Sequence, residues 1–211
     1  MPVERPLYPA NLVVAGRAVL VVGAGAVAAR KVAELLACEA DVTVVAPEAD
    51  PAIAADPRVR WERRAYRDGD LEGRWLAFTC TGDPGVDGAV FAEGERRGVW
   101  VNSADDPARC SFTLPSRVRR GDLLVTVSTA GRSPALAAWL RARLGAELGP
   151  EYAVLLDLLS EAREAVRATG RSTEGLDWNS ALEGGMLDLV REGRTDEARE
   201  LLRTCLSSSS D

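Results

Sequence analysis

The chain has 211 residues and a mass of 22.5 kDa, a size that fits one main domain with a smaller appendage. Its composition, 46% hydrophobic and 27% charged, is globular and excludes wholesale disorder and a coiled coil. The net charge of −6 argues against nucleic acid as a partner. The uncharged stretch 18–29 is too short to cross a bilayer, and the opening residues lack a signal core. We therefore expect a cytoplasmic protein with no membrane partner.

Histidine is absent, which excludes histidine-based catalytic triads and metal sites. The four cysteines lie far apart and form no CxxC pair, so they are expected to be reduced packing residues and no metal site is predicted. Proton transfer must then fall to carboxylates, hydroxyls, tyrosines or Lys31, the single lysine of the chain.

The first predicted elements form a β-α-β unit. An apolar run that ends at Gly23 predicts a strand buried on both faces, and the apolar run in Asp41–Glu48 predicts a second one. The spacing of Val27–Cys38 predicts a helix between them. Its sheet-facing side is formed by Val27, Val32, Leu35 and Leu36, and its outer side by Arg30, Lys31 and Glu34.

The turn between the first strand and the helix carries the G-x-G-x-x-A dinucleotide fingerprint. Gly23 permits the tight turn, Gly25 lets the backbone approach a pyrophosphate, and Ala28 keeps the helix close to the strand. The amides at the helix N-terminus would bind the phosphates. Glu48, or the backbone around Pro47, is the candidate ribose contact. No arginine directly follows the second strand to take a 2′-phosphate, which favours NAD over NADP.

Alternation of strands and helices continues to about residue 102. Strands are predicted at Val59–Glu62, Leu76–Thr79 and Trp100–Asn102, with a helix over Gly85–Arg97. This order predicts an α/β fold with a Rossmann-like, doubly wound parallel sheet.

The pattern changes after this sheet. Leu123–Thr129 is predicted to be a strand, and the helix after it has Ser133 as N-cap, Pro134 at its first position and Gly145 as its stop. Only helices follow, at about 151–168, 178–192 and 195–206, before an SSSSD tail expected to be disordered. We therefore predict a Rossmann domain at 1–112, a small α+β dimerisation and substrate segment at 113–149, and a helical domain at 150–211.

Positive charge is concentrated between Pro107 and Arg143. This segment has seven arginines against one acid, Asp122, so its charge is +6 and the remainder carries −12. Such a cluster in an acidic protein fits a receptor for a polyanionic small molecule, and ordinary exposed arginines are the alternative.

With these motifs placed, the chain resembles the dehydrogenase/chelatase family of siroheme synthesis, the precorrin-2 dehydrogenases and sirohydrochlorin ferrochelatases. The match runs from about Leu7 to Gly145. Its pieces include LVVAGRAVLVVGAGAVAARK, DVTVVAPE, LAFTCTGD and VNSADDPARCSFTLPSRVRRGDLLVTVSTAGRSPALAAWLR. The glycine loop followed by N-x-x-D-D-P, F-x-x-P and S-T-x-G-x-S-P is far more specific than the fingerprint alone.

The resemblance implies NAD-dependent oxidation of precorrin-2 to sirohydrochlorin by a homodimer, with possible ferrous iron insertion. It implies Asp105 as the catalytic aspartate. The cofactor set it implies, together with the fingerprint glycines, is Gly23, Gly25, Ala26, Val27, Pro47, Glu48 and Thr81. The predicted substrate-binding residues are Arg117, Arg119, Arg120, Ser128, Thr129, Gly131, Arg132 and Ser133.

Alternatives remain open from the residues themselves. Asp105 also fits ordinary Asp-Asp-Pro turn chemistry, and the polar loop from Ser128 to Ser133 also fits simple helix capping. At the level of the protein, the alternatives are a non-catalytic NAD-sensing module with a protein partner, and a chelatase that does not need NAD.

Overall fold

The computed structural model describes residues 6–104 and 106–208, which form two compact units. The first unit runs to Leu114 and includes Ala130–Ser133. The second consists of Pro115–Thr129 and the chain from Pro134 onward. The three-part division predicted from the sequence stays a prediction. No helix among the described residues is both long enough and apolar enough to span a membrane.

A five-stranded parallel sheet with strand order β3-β2-β1-β4-β5 forms the first unit, as predicted. The strands are β1 (Ala18–Val22), β2 (Asp41–Val45), β3 (Arg60–Glu62), β4 (Leu76–Thr79) and β5 (Trp100–Ser103). The helices are α1 (Ala26–Ala37), α2 (Pro51–Ala54) and α3 (Pro84–Arg97), and a 3₁₀ turn follows at Pro107–Arg109. The strand order reverses between β1 and β4, and this arrangement leaves a crevice at the carboxyl ends of the strands.

The sheet is covered on both faces. Val32 of α1 and Ile53 of α2 pack with Val21 of β1 on one face, and Val90 of α3 packs with Leu20 of β1 on the other. Both faces are therefore apolar, which explains why the strands are short uninterrupted apolar runs rather than alternating ones.

Two predictions for α1 and one for β2 were wrong. Val27 is 43% exposed rather than packed on the sheet, because it lies in the first turn of α1, beyond the end of β1. Lys31, predicted to be outside, is half-buried and reaches Asn102 of β5. β2 ends at Val45 rather than Glu48, since Pro47 has no N–H to continue the ladder.

The second unit begins with an antiparallel ribbon. Its strands are β6 (Ser116–Arg120) and β7 (Leu123–Val127), and α4 (Pro134–Glu147) follows. β6 was not predicted, because Val118 is its only apolar residue and the period-2 signal is hidden among arginines. The predicted stop of α4 at Gly145 was wrong, since the helix continues for one more half-turn.

The rest of the second unit is helical, as predicted. It contains α5 (Glu151–Ala168), α6 (Trp178–Ala181), a π-helical turn (Leu182–Met186), α7 (Leu187–Arg191) and α8 (Thr195–Ser208). The predicted helix 178–192 is broken at Gly185, whose φ of +96° is not helical. Leu158, Met186 and Leu202 lie in the buried core of these helices. Ser207 and Ser208, predicted to begin a disordered tail, are the last residues of α8, and the rest of that tail lies outside the described residues.

Candidate functional site

The glycine loop brings two strand ends together. Gly23 has a φ of +91°, and a Cβ built on it would lie 2.5 Å from the carbonyl oxygen of Cys80, directly after β4. Any side chain here would therefore force β1 and β4 apart at their carboxyl ends, in addition to the cost of the positive φ. The first fingerprint glycine is thus required by the fold itself.

Gly25, in contrast, lies below open space. It is the N-cap residue of α1 with a φ of −79°, which any residue adopts, and a Cβ built on it would meet no atom within 4 Å. A side chain would therefore fill open space rather than strain the fold. This open position next to a helix N-terminus fits the pyrophosphate of a dinucleotide.

The first turn of α1 is prepared for an anion. The first α-helical hydrogen bond runs from the amide of Ala29 to the carbonyl of Gly25, so the amides of Ala26, Val27 and Ala28 precede the helical ladder. No side chain caps these amides, and the first turn contains no acid. Amides that lack a capping side chain, together with the positive end of the helix dipole, favour a bound phosphate group.

Around the end of β2 lie Pro47 and Glu48, both exposed. The neighbouring strand β3 also places a side chain here. Arg63, directly after β3, donates from Nε to the carbonyl of Pro47 at 3.3 Å. No arginine directly follows β2 in the sequence. Arg63 comes 16 residues later along the chain, and the pairing of β2 with β3 brings it to this edge.

Thr81 was predicted to contact the cofactor, but its hydroxyl has another role. It donates to a carboxylate oxygen of Asp87 at 2.6 Å and accepts from the amide of Asp83 at 3.0 Å. Thr81 thereby joins the end of β4 to the first turn of α3. A cofactor contact at Thr81 stays a prediction.

At the end of β5, a polar cluster surrounds Asn102. Its Nδ2 donates to the carbonyl of Phe112 at 2.9 Å, and its Oδ1 lies 3.5 Å from Nζ of Lys31. The thiol of Cys110 accepts from the amide of Ser103 at 3.2 Å, and burial raises the pKa of this thiol. Asp105, the predicted catalytic residue, lies outside the described residues. The cluster fixes the strand end that leads to it.

Two buried hydroxyls lie at the same edge. The Oγ1 of Thr79 and the Oγ of Ser103 belong to residues that are partners in the β4–β5 register. Within the described part of the chain, neither oxygen has a hydrogen-bond partner. Buried hydroxyls without a partner are unusual and are often found next to functional sites.

The arginines of the ribbon differ in what they contact. Arg120 donates from Nε to the carbonyl of Leu148 at 2.7 Å and from Nη2 to that of Gly145 at 2.8 Å, so it caps the end of α4. This contact explains why α4 passes Gly145, and a role of Arg120 in substrate binding stays a prediction. Arg117 and Arg119 alternate with buried Val118 and therefore lie on the opposite face of the ribbon.

The polar loop after β7 has an unusual backbone. Ala130 has a φ of +51° and Gly131 a φ of +73°, so two successive residues are left-handed. A non-glycine residue in this region is strained, and such strain is often found at binding sites. Ser128 and Thr129 belong to the second compact unit and Gly131, Arg132 and Ser133 to the first. Their role in binding stays a prediction.

Two family models match this chain. One, described as "Putative NAD(P)-binding", matches residues 10–116, and the other, "Sirohaem biosynthesis protein central", matches residues 120–147. The first covers the parallel sheet and its glycine loop. The second covers most of the ribbon and α4.

Whole-chain relatives agree with these models. The siroheme synthase of Methylobacillus flagellatus is 36% identical over 197 residues, covering 90% of this chain and 42% of the relative. The siroheme synthase of Thioalkalivibrio sulfidiphilus is 36% identical over 209 residues, covering 97% of this chain and 43% of the relative. The chain therefore spans less than half the length of these curated relatives.

A solved structure titled "SirC, precorrin-2 dehydrogenase" superposes with a TM-score of 0.71 at 25% sequence identity, covering 94% of this chain and 98% of that one. The resemblance stated from the motifs is thus confirmed. Because the first model matches more than half of the chain, the chain belongs to the NAD(P)-binding family that this model describes.

Proposed function

We propose that this protein is an NAD-dependent precorrin-2 dehydrogenase, which oxidises precorrin-2 to sirohydrochlorin in siroheme biosynthesis. The single observation that carries the proposal is the uncapped first turn of α1 below the open space at Gly25. This geometry supports a dinucleotide at the sheet edge where β5 ends. Support for the substrate comes from the likeness to the solved precorrin-2 dehydrogenase over nearly its full length.

The reaction removes two electrons and two protons from precorrin-2. NAD held at the first turn of α1 would supply the oxidising power by taking up a hydride, and the second hydrogen would pass as a proton to a base of the protein, so that sirohydrochlorin and NADH are the products. The chain contains no histidine, so a carboxylate is the natural base. In the proposal, Asp105 accepts this proton, and Asn102 holds the preceding strand end through Phe112.

Substrate binding is assigned to the positive segment. Precorrin-2 is a polycarboxylate, and guanidinium groups bind carboxylates in planar, bidentate geometry. We assign Arg117, Arg119 and Arg132 to the substrate carboxylates, and we assign the hydroxyls of Ser128 and Thr129 to the same ligand. Arg119 and Arg132 are exposed, which supports their availability for an anionic ligand.

We also propose that the protein is a homodimer that works in the cytoplasm. Leu136 and Trp139 of α4 are 48% and 55% exposed, and both lie in the segment matched by the sirohaem central model. Two large apolar side chains on one helix support a covered surface in the assembly. Cys38 and Cys110 are free thiols, which fits a reducing compartment.

The proposal is tested by following NADH formation from enzymatically prepared precorrin-2 and NAD. Asp105→Asn should lower kcat by a factor of about 100 or more, the usual weight of a general base, and leave ADP-ribose binding unchanged. The matched control is Asp106→Asn. Asp106 caps the 3₁₀ turn through the amide of Ala108, a contact that asparagine preserves. Equal kcat values for wild type and Asp105→Asn would remove Asp105 from the mechanism.

Two other activities are separated by further assays. A non-catalytic NAD-sensing module would bind NAD but would not bind sirohydrochlorin in either wild type or an Arg117→Ala/Arg119→Ala variant. Insertion of ferrous iron into sirohydrochlorin displaces two pyrrole protons, which Asp105 could also accept. A chelatase would perform this insertion in the absence of NAD.

A further inference from the structure

The guanidinium group of Arg63 lies near the end of β2, and no sequence motif indicates this position. Pairing of β2 with β3 continues past the strands, because the amide of Ala46 donates to the carbonyl of Glu62 at 3.3 Å. The next residue, Arg63, is thereby placed beside Pro47, and its Nε donates to the Pro47 carbonyl at 3.3 Å. The guanidinium group of Arg63 thus lies at the carboxyl edge of the sheet.

The guanidinium of Arg63 is held in place by a neighbouring ring. Its Cζ lies 5.7 Å from the centroid of the Trp61 ring, a cation–π distance. Trp61 is itself fixed, since its Nε1 donates to the carbonyl of Ala46 at 3.0 Å. With the Pro47 carbonyl on one side and the ring on another, Arg63 loses little further freedom when it binds a ligand.

The charge of Arg63 is not neutralised within its own unit. In residues 6–104 and 106–208, no carboxylate lies within salt-bridge distance of it. The adjacent Arg64 behaves differently, because its two Nη atoms contact both carboxylate oxygens of Asp70 at 2.8 and 2.9 Å. Of these two neighbouring arginines, Arg64 is structural and Arg63 retains donors for an external anion.

The end of β2 is the position at which this fold recognises the adenosine ribose. A carboxylate there accepts hydrogen bonds from the ribose hydroxyls of NAD, and an arginine there accommodates the 2′-phosphate of NADP. This chain has both groups at that edge: exposed Glu48 follows β2, and Arg63 contacts Pro47 from β3. The pair is chemically suited to both forms of the ribose.

We propose that Arg63 binds a phosphate group on the adenosine ribose, so that the site accepts NADP as well as NAD. The inference rests on the proposed function, since it takes the dinucleotide orientation from the glycine loop. It adds a specificity-determining residue and a second cofactor form. Its physical basis is a guanidinium group with free donors, positioned in advance beside the ribose contact.

The experiment measures binding without turnover. ADP-ribose and 2′-phospho-ADP-ribose are titrated calorimetrically into wild type, Arg63→Ala and the control Arg60→Ala. Arg60 is an exposed arginine at the opposite end of β3, so its removal subtracts the same charge away from the ribose position. We expect wild type to bind both nucleotides with dissociation constants within about tenfold of each other.

Arg63→Ala should weaken the binding of 2′-phospho-ADP-ribose by about 10- to 100-fold, the range for a lost charge-assisted hydrogen bond. It should weaken the binding of ADP-ribose by less than about threefold. Arg60→Ala should change neither dissociation constant by more than about threefold. Equal weakening of both nucleotides by Arg63→Ala, or failure of wild type to bind the phosphorylated one, would overturn the inference and leave the proposed function standing. Failure of wild type to bind ADP-ribose would instead overturn the proposed function.

Discussion

Single residues at this sheet edge have separable tasks, and the two fingerprint glycines are the clearest example. Gly23 is needed because the backbone of Cys80 occupies the place of its Cβ, whereas the space above Gly25 is open, which suits the proposed pyrophosphate. In the proposal, the same residue type serves once for folding and once for binding. The sequence motif contains glycine at both positions and does not distinguish these two roles.

This difference predicts opposite phenotypes for two identical substitutions. Gly23→Ala should lower the free energy of unfolding by about 2 kcal/mol or more, because it adds a clash to a strained positive φ. Gly25→Ala should change stability by less than about 0.5 kcal/mol and weaken ADP-ribose binding at least about tenfold. Urea denaturation and calorimetric titration measure the two effects. A stable Gly23→Ala protein would contradict the assigned close approach.

Another residue, Glu93, shows a task that no sequence motif indicates. It is fully buried in α3, accepts from the amide of Gly69 at 2.9 Å and from Nε of Arg97 at 2.6 Å, and contacts the hydroxyl of Tyr66. Burial raises the pKa of the Tyr66 hydroxyl, and the hydrogen bond to Glu93 raises it further. These contacts anchor the segment between β3 and β4 on α3, and the same segment begins with Arg63.

At the scale of elements, strand pairing and helix capping decide which charged residues are available. β6 carries three arginines, and its pairing with β7 and packing against α4 assign them to different faces. Arg120 is used to cap α4, whereas Arg119 is exposed. Counting arginines along the chain therefore overestimates the charge that can reach a substrate.

A matched pair of substitutions tests this division. Arg120→Ala should lower the free energy of unfolding by about 1–2 kcal/mol, because two carbonyls at the end of α4 lose a charged donor. Arg119→Ala should leave stability within about 0.5 kcal/mol and raise the KM for precorrin-2. Thermal or urea unfolding and steady-state kinetics give the two readouts. Equal stability of both variants would reject the capping role.

The whole molecule combines a nucleotide-binding sheet with a separate unit that carries the ribbon, α4 and the helical core. In the proposal, the first unit holds the oxidant and the second provides arginines and the surface for a second copy of the chain. The exposed Trp139 carries an additional cation–π contact from Arg143, whose Cζ lies 5.6 Å from the ring centroid.

The proposed homodimer predicts the effect of a charge on α4. Trp139→Glu should convert the protein to a monomer and lower its activity, because it would place a charged carboxylate in an apolar interface. Sedimentation equilibrium measures the change. Tyr8→Glu is the control, since Tyr8 is 92% exposed in the first unit. A dimer that persists in Trp139→Glu would place the subunit contact elsewhere.

By itself, the sequence determined the elements whose signals are local. Apolar runs and glycines predicted β1 and β4 together with the turn at Gly23, and the helix predicted at about 151–168 is α5. These succeeded because a strand buried on both faces, a positive φ and a helix start each depend on a few consecutive residues. The family motifs could be recognised for the same reason, because each is a short series of residues that are close together in the sequence.

Only the tertiary structure decided which residues meet from distant parts of the chain. Arg63 reaches Pro47 through strand pairing, Lys31 reaches Asn102 across β1 and β4, and Arg120 reaches the end of α4. None of these has a periodic or motif signal, because each is set by register and packing between elements rather than by neighbours in the chain. The physical reason is that hydrogen bonds and charges act through space, and the fold alone sets those distances.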